Sequence, residues 1–296
     1  MKGTKNRIAI LMTCHNRRET TLSCLKAVFK QVLPESVTFN VFLVDDGSTD
    51  GTGDAVRSYY PSVAVLEGDG SLFWNRGMRK AFAEAMERDF DYYLWLNDDT
   101  ILYTKALKIL LETVWKVKKT DNSGCIIAGS ICDPESGVPT YGGLIRYTRW
   151  HPLNFRILKP RGKPLPCHTM NGNCILIPGE VAKAVGNLDG SFSHSIGDTD
   201  YGLRAVKKGF SILISPEYVG TCERKNNSIY GRNQKMTLRE LIKKVNQPTG
   251  LPFKEWMIYT GRYTGIFWPF YWVRPYVNMF LKATMLSILK CFRKKI

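Results

Sequence analysis

Apolar residues recur along the chain in short unbroken runs that stop at polar or acidic loops. Ile8-Ala9-Ile10-Leu11-Met12-Thr13 is the first and Val41-Phe42-Leu43-Val44 the second. Val63-Ala64-Val65-Leu66 is the third and Tyr92-Tyr93-Leu94-Trp95-Leu96 the fourth. Successive side chains of a strand point to opposite faces, so a continuous run suits a strand covered on both sides. Between the runs the apolar positions take helical spacing, as in Leu22, Leu25, Ala27, Val28 and Phe29, and again over 73–88 and 105–118. This alternation predicts an α/β protein with a mostly parallel central sheet flanked by helices. Further strands are expected over 125–130, 173–178 and 210–214, and helices over 179–185 and 201–208. A loop is expected over 192–200. Residues 131–168 are rich in Pro and Gly and predict loops with short β segments.

Composition fits an ordinary globular core: 44% of the 296 residues are hydrophobic and 23% charged. The net charge of +16 needs a partner or a surface. Residues 226–296 hold 13 basic and 2 acidic residues, so +11 lies in that segment. The concentration predicts a local basic surface and no nucleic-acid partner. Eight cysteines show neither a CxxC pair nor a zinc spacing, as expected of reduced, buried thiols in a cytosolic protein. The run Ile8–Met12 is too short for the core of an export signal. The longest apolar tract, 265–289, is interrupted by Arg274, Pro275 and Lys282, so no membrane span is expected.

Three acidic loops change the picture. Asp45/Asp46 follow a core run directly and Asp98/Asp99 follow one after Asn97, and both pairs are read as ending neighbouring strands. Ligands of open α/β sheets bind outside this carboxyl edge. Adjacent carboxylates repel unless a cation compensates them, and Mg²⁺ and Mn²⁺ are commonly shared between carboxylates and phosphates. A helix cap is the simpler alternative for either pair. Asp198 and Asp200 sit at a loop–helix junction, suited to a cap or to a general base facing a cleft. In the loop 68–78, Trp74 is a candidate to stack on a sugar, or a core aromatic at a helix start. The stretch 170–173, with Asn171, is a donor- or acceptor-sugar loop, or a tight turn.

Taken together and in order, these motifs resemble the inverting GT-A-fold glycosyltransferases of family 2, over roughly residues 6–225. The resemblance rests on Thr13-Cys14-His15-Asn16-Arg17, Val44-Asp45-Asp46-Gly47-Ser48-Thr49-Asp50, Asn97-Asp98-Asp99-Thr100 and Gly197-Asp198-Thr199-Asp200-Tyr201-Gly202-Leu203-Arg204-Ala205. It implies that Thr13 and Asp46 contact the nucleotide base, with His15, Asn16, Arg17, Trp74 and Asn75 on the donor side. Asp99, supported by Asp98, would hold a divalent metal, Mg²⁺ or Mn²⁺, on the diphosphate of a UDP-, dTDP- or GDP-linked sugar. Asp198 would deprotonate the acceptor hydroxyl, with Asp200 and Arg204 shaping the loop. The last motif is similar to that of galactofuranosyl- and rhamnosyltransferases. Three departures stand out. Gly197 replaces the family's Glu before the catalytic Asp, Trp74 rather than a basic residue precedes Asn75, and the stretch 218–222 lacks the late His of the metal shell. His194 is the nearest substitute.

The expected organisation is a GT-A domain over 1–225, with a nucleotide-binding half (1–100) and an acceptor half (101–225), and a helical extension over 226–296. In the extension Trp256, Tyr259, Tyr263, Phe267, Trp268, Phe270, Tyr271, Trp272, Tyr276 and Phe280 interleave with Lys and Arg. This composition predicts docking on an anionic membrane surface, at the inner face of a bacterial cell membrane, where a lipid-linked glycan acceptor would lie. A helical cover for the core or a homodimer interface is the alternative. Two other functions fit part of the pattern: a metal-dependent nucleotidyltransferase, disfavoured because 14–20 lacks a glycine, and a non-catalytic glycan- or membrane-binding module.

Overall fold

The apolar runs are strands whose side chains alternate between two cores. In β1 (Asn6–Cys14), Ile8, Ile10 and Met12 enter one core while Ala9 and Leu11 enter the other. The computed structural model describes residues 5–120, 124–148, 151–223 and 238–293. After β1 come α1 (Arg18–Phe29), β2 (Val37–Asp45), α2 (Thr52–Tyr59), β3 (Ala64–Glu67), α3 (Phe73–Met86) and β4 (Tyr92–Leu96). Then follow β5 (Ile101–Leu102), α4 (Ala106–Thr120), β6 (Cys125–Cys132), β7 (Pro139–Tyr141), β8 (Gly143–Arg146), β9 (Phe155–Ile157) and β10 (Thr169–Met170). β11 (Cys174–Pro178), α5 (Gly179–Val185), α6 (Gly197–Lys207) and β12 (Ser211–Thr221) complete this part.

The main sheet runs β3-β2-β1-β4-β11-β6-β12-β5, with β7 beside β6, and β10-β8-β9 form a small second sheet. The first four strands are parallel, as the alternation predicts. β11 breaks the pattern by pairing antiparallel with both β4 and β6. Its side chains still alternate between the two cores, so its apolar run carries no sign of direction. The two acidic pairs do not end neighbouring strands: β1 lies between β2 and β4. The loop after β1 therefore sits between the carboxylate pairs. The 192–200 stretch is also shorter as a loop than expected, because α6 begins at Gly197 and takes Asp198 and Asp200 into its first turn.

Contacts divide the chain into two units, 1–147 with 155–224, and 148–154 with 225–296. The second contains α7 (Leu238–Val245), α8 (Phe253–Tyr263) and α9 (Trp268–Arg293). Val245, Tyr276 and Met279 form its small core with Phe253, Trp256 and Trp272. Both indoles are tied down: Trp256 Nε1 donates to Tyr271 O and Trp272 Nε1 to Phe253 O. Residues 226–237 and the side chains of the basic end, 290–296, lie outside the described structure.

Candidate active site

Four loops meet at the carboxyl edge of β1, β2 and β4. Arg17, just before α1, reaches the residues after β4. Its Nη1 donates to Asp98 Oδ1 at 2.7 Å and to Asp99 Oδ2 at 3.0 Å. One nitrogen bridging both groups shows that the carboxylates converge on a single cation position. Burial works against the charge of Arg17, but the two aspartates outweigh it and raise its pKa. The thiol of Cys222, in the stretch where the late His is missing, donates to Asp99 Oδ1 at 3.4 Å. His194 packs edge-on against Phe73. Its pKa is pushed down by burial and then by the charge of Arg17.

The site fits a hard cation in part. Among the described residues no group of three or more His, Cys, Asp and Glu is disposed to hold a metal ion. Mg²⁺, however, is often bound by one or two carboxylates plus substrate phosphates. Asp98 and Asp99 supply that pair, and the Arg17 nitrogen marks the point they share.

Asp46 has a structural task. Its carboxylate accepts backbone N–H bonds from Gly70 at 2.9 Å, Leu72 at 3.0 Å and Phe73 at 2.9 Å. It thereby anchors the loop 68–72 and the start of α3, where Phe73 has a φ of 54°. His15 donates from Nδ1 to Asp46 O and accepts at Nε2 from Asn16 Nδ2 at 3.2 Å. Asn16, with a φ of 50°, accepts from Thr49 N at 2.7 Å and so joins the first two loops. Thr13 is buried against Gly77, where a Cβ would collide with its hydroxyl. Asp46→Ala is expected to lower unfolding stability by about 3 kcal/mol, because three charge-assisted bonds are lost. A urea titration measures it; a residue that only touched nucleotide would leave the midpoint unchanged.

Asp198 is half-buried in the first turn of α6. Its Oδ2 accepts from Gly172 N at 2.8 Å and its Oδ1 from Thr199 N at 2.7 Å. Burial raises its pKa above the ordinary carboxylate range, and these N–H groups hold the rise in check. With Gly at 197, the N–H groups of Gly172 and Thr199 are what hold this carboxylate. A side chain at 197 is impossible without rearrangement, since a Cβ there would strike Asn75 Oδ1. Asn75 is fully buried, and its Nδ2 donates to Asp189 O and Phe192 O, each at 2.8 Å. It pins the loop leading to α6, in which Ile196 has a φ of 77°. Four non-glycine residues among those described have positive φ, and Asn16, Phe73 and Ile196 all flank this site. Such strain persists where the surroundings over-determine the backbone, often at functional sites. Gly197→Ala is expected to cost about 1–3 kcal/mol by overpacking and to displace Asp198. Chemical denaturation together with an activity assay checks both effects.

The remaining predicted residues have partners around the same site. Trp74 is half-buried, donates from Nε1 to Asn97 Oδ1 at 2.7 Å and meets Trp95 edge-on. Its ring lies directly under Gly172, where a Cβ would collide with it. Asp200 is fully buried and accepts from Arg204 Nε at 2.8 Å. Arg204 also donates to Val185 O and Asn187 O, clamping α6 to the end of α5. Asn171 donates its N–H to Gly142 O at 2.9 Å. Sequence reasoning missed Gly172 as the partner of Asp198 and Cys222 as the neighbour of Asp99. The departures at 197 and 218–222 were the available signals.

Strand-end carboxylates that share one cation position and a helix-start aspartate held by Gly172 thus belong to one edge of a mixed sheet. Residues 9–185 match the model for "Glycosyl transferase family 2", and the chain belongs to that family. It is 24% identical over 196 residues to an N-acetylglucosaminyl-diphospho-decaprenol L-rhamnosyltransferase of Mycobacterium tuberculosis, covering 60% of this chain and 64% of that protein. The chain thus spans less than two thirds of that relative's length. Among solved structures it resembles S. aureus TarS 1–349 in complex with UDP, with a TM-score of 0.52 and 17% identity, over 73% of this chain and 60% of that one. It also resembles the mannosyltransferase PcManGT of Pyrobaculum calidifontis in complex with GDP-Man and Mn²⁺, with a TM-score of 0.52 and 14% identity, over 87% and 65% of the two chains. These likenesses confirm the GT-A fold.

Proposed function

We propose that the protein is an inverting glycosyltransferase that moves a sugar from a nucleoside diphosphate to a hydroxyl of a lipid-linked glycan. The observation that carries this reading is the convergence of Asp98 and Asp99 on one cation position at the sheet edge. Asp198 removes the acceptor proton as the acceptor oxygen forms a bond to the anomeric carbon. The bond from that carbon to the diphosphate oxygen breaks in the same step, and the nucleoside diphosphate leaves with the electron pair. A bound Mg²⁺ or Mn²⁺ would stabilise the charge on the departing diphosphate as a Lewis acid. Asp99 and Asp98 are the residues to hold it. Arg17 neutralises the same carboxylates when no metal is bound. Thr13, His15, Asn16 and Asn75 build the donor side, and Asp46 and Trp74 hold its loops in place.

A nucleotide specificity follows from testing UDP, dTDP and GDP and their sugars by thermal shift with Mn²⁺ or Mg²⁺. At least one should raise the melting temperature; stabilisation by none of them defeats the reading.

The second unit is proposed to rest on an anionic membrane surface at the cytoplasmic face. Supporting this, Ile266, Phe267, Phe270, Val273, Val277 and Leu281 are exposed at helical spacing, with Arg262 and Arg274 among them. No described helix is long and apolar enough to cross a membrane. Phe270→Asp with Val277→Asp is expected to weaken co-sedimentation with phosphatidylglycerol vesicles. Unchanged sedimentation, with loss of dimer on ultracentrifugation instead, would assign the face to a second copy of the chain.

A further inference from the structure

Positive charge is not confined to the tail. Residues 136–179 hold six Lys and Arg and no Asp or Glu. This segment supplies β7 to β10 and, with them, a cavity of about 520 Å³. The volume lies within the range of about 300–1,000 Å³ usual for small-molecule sites. Its wall combines the aromatic side chains of Tyr141 and Phe155 with Thr140, Ile157, Arg156 and Asn171. Aromatic faces beside planar amide and guanidinium groups suit a sugar ring and its oxygens.

Two features tie the cavity to the reaction. Asn171 lines it, and its backbone N–H bonds to Gly142 O between β7 and β8. The next residue, Gly172, donates its N–H to Asp198 Oδ2. One wall is thus a single peptide away from the group that holds the candidate base. Arg156 is exposed on β9, opposite Ile145 of β8, with its guanidinium 5.8 Å from the centre of the Tyr147 ring. Lys159, Arg161 and Lys163 follow it along the chain and are exposed as well. Arg156 is the charged residue of the cavity wall and no residue of that wall is acidic, so the cavity favours an anionic ligand.

We infer that this cavity is the acceptor subsite, and that it recognises a sugar carried on a diphosphate ester. Tyr141 and Phe155 hold the ring and Arg156 pairs with the ester oxygens. This inference rests on the glycosyltransferase reading above and names the acceptor class for it. The donor also carries a diphosphate, so the test is run with the nucleotide site filled.

The probes are a short-chain alkyl diphosphate-linked hexose and the neutral alkyl glycoside of the same hexose. Binding is measured by calorimetry at low salt, in saturating nucleoside diphosphate. The diphosphate-linked sugar should bind about tenfold tighter, the worth of one charge-assisted contact. Added salt should shrink the difference. Arg156→Gln should erase the preference and Arg156→Lys should restore part of it. Tyr141→Ala should weaken both probes alike. Equal binding of the two probes, or a preference that survives Arg156→Gln, overturns the inference. Absence of nucleoside diphosphate binding in the preceding titration would instead defeat the glycosyltransferase reading itself, so the two failures are distinct.

Discussion

Replacing Asp198 by Asn is expected to lower kcat by about 10²–10⁴-fold, the usual contribution of a positioned general base. Nucleoside diphosphate affinity should be unchanged, because Asp198 lies on α6 and has no described bond to Arg17, Asp98 or Asp99. Asn is nearly isosteric, and its single oxygen can still accept from Gly172 or Thr199. It cannot take a proton from the acceptor. The same residue sets a pH signature. Burial raises its pKa, and transfer needs the ionised form. Activity should therefore rise with pH through the raised pKa, and the acid limb of the kcat profile should lie above the ordinary value of 3.8. A kinetic titration checks this; an acid limb at or below that value removes Asp198 from the role. Loss of nucleotide binding in the Asn variant would likewise show that it acts elsewhere.

The second large effect is expected at Asp98 and Asp99. With both changed to Asn, the gain in nucleoside diphosphate affinity from Mn²⁺ should vanish. The expected loss is about 100-fold in Kd, near 3 kcal/mol, in line with the several kcal/mol that a metal supplies to phosphoryl charge. EDTA should weaken binding by the wild-type protein and leave the double variant as it was. The physical reason lies in Arg17, whose Nη1 sits 2.7 Å from Asp98 and 3.0 Å from Asp99. In the wild type a metal must displace this guanidinium from the carboxylates. In the double variant Arg17 is released from them and can meet the diphosphate without metal. Calorimetry with and without EDTA separates these states; a double variant that keeps the full Mn²⁺ effect would place the metal elsewhere.

Much of the fold over residues 1–100 was legible because one signal sufficed. β1 and β4 are buried on both faces, so their residues had to be apolar without interruption, and the break at Asp98 was visible. What was not legible depended on partners far along the chain. The order that puts β1 between β2 and β4 leaves no trace in either run. β11 looks like its parallel neighbours because direction does not alter burial. Asp46 reads as a ligand contact, and in the fold it also anchors the N–H groups of Gly70, Leu72 and Phe73. That task could be found only from the fold of the loop. Gly197 appeared as a defect in the family pattern. It is small because Asn75, more than a hundred residues earlier, already occupies the space. The place of the Trp74 ring under Gly172, and through Gly172 its link to Asp198, was likewise invisible in composition.

A single displacement at the anomeric carbon, with Asp198 as base, inverts the configuration there. Proton NMR of the first-formed product tests it most directly. The nucleotide sugar that stabilises the protein is incubated with the enzyme and water or an acceptor, and the new anomeric signal is read before mutarotation. A configuration opposite to that of the donor is expected. A product that retains the donor's configuration would contradict it.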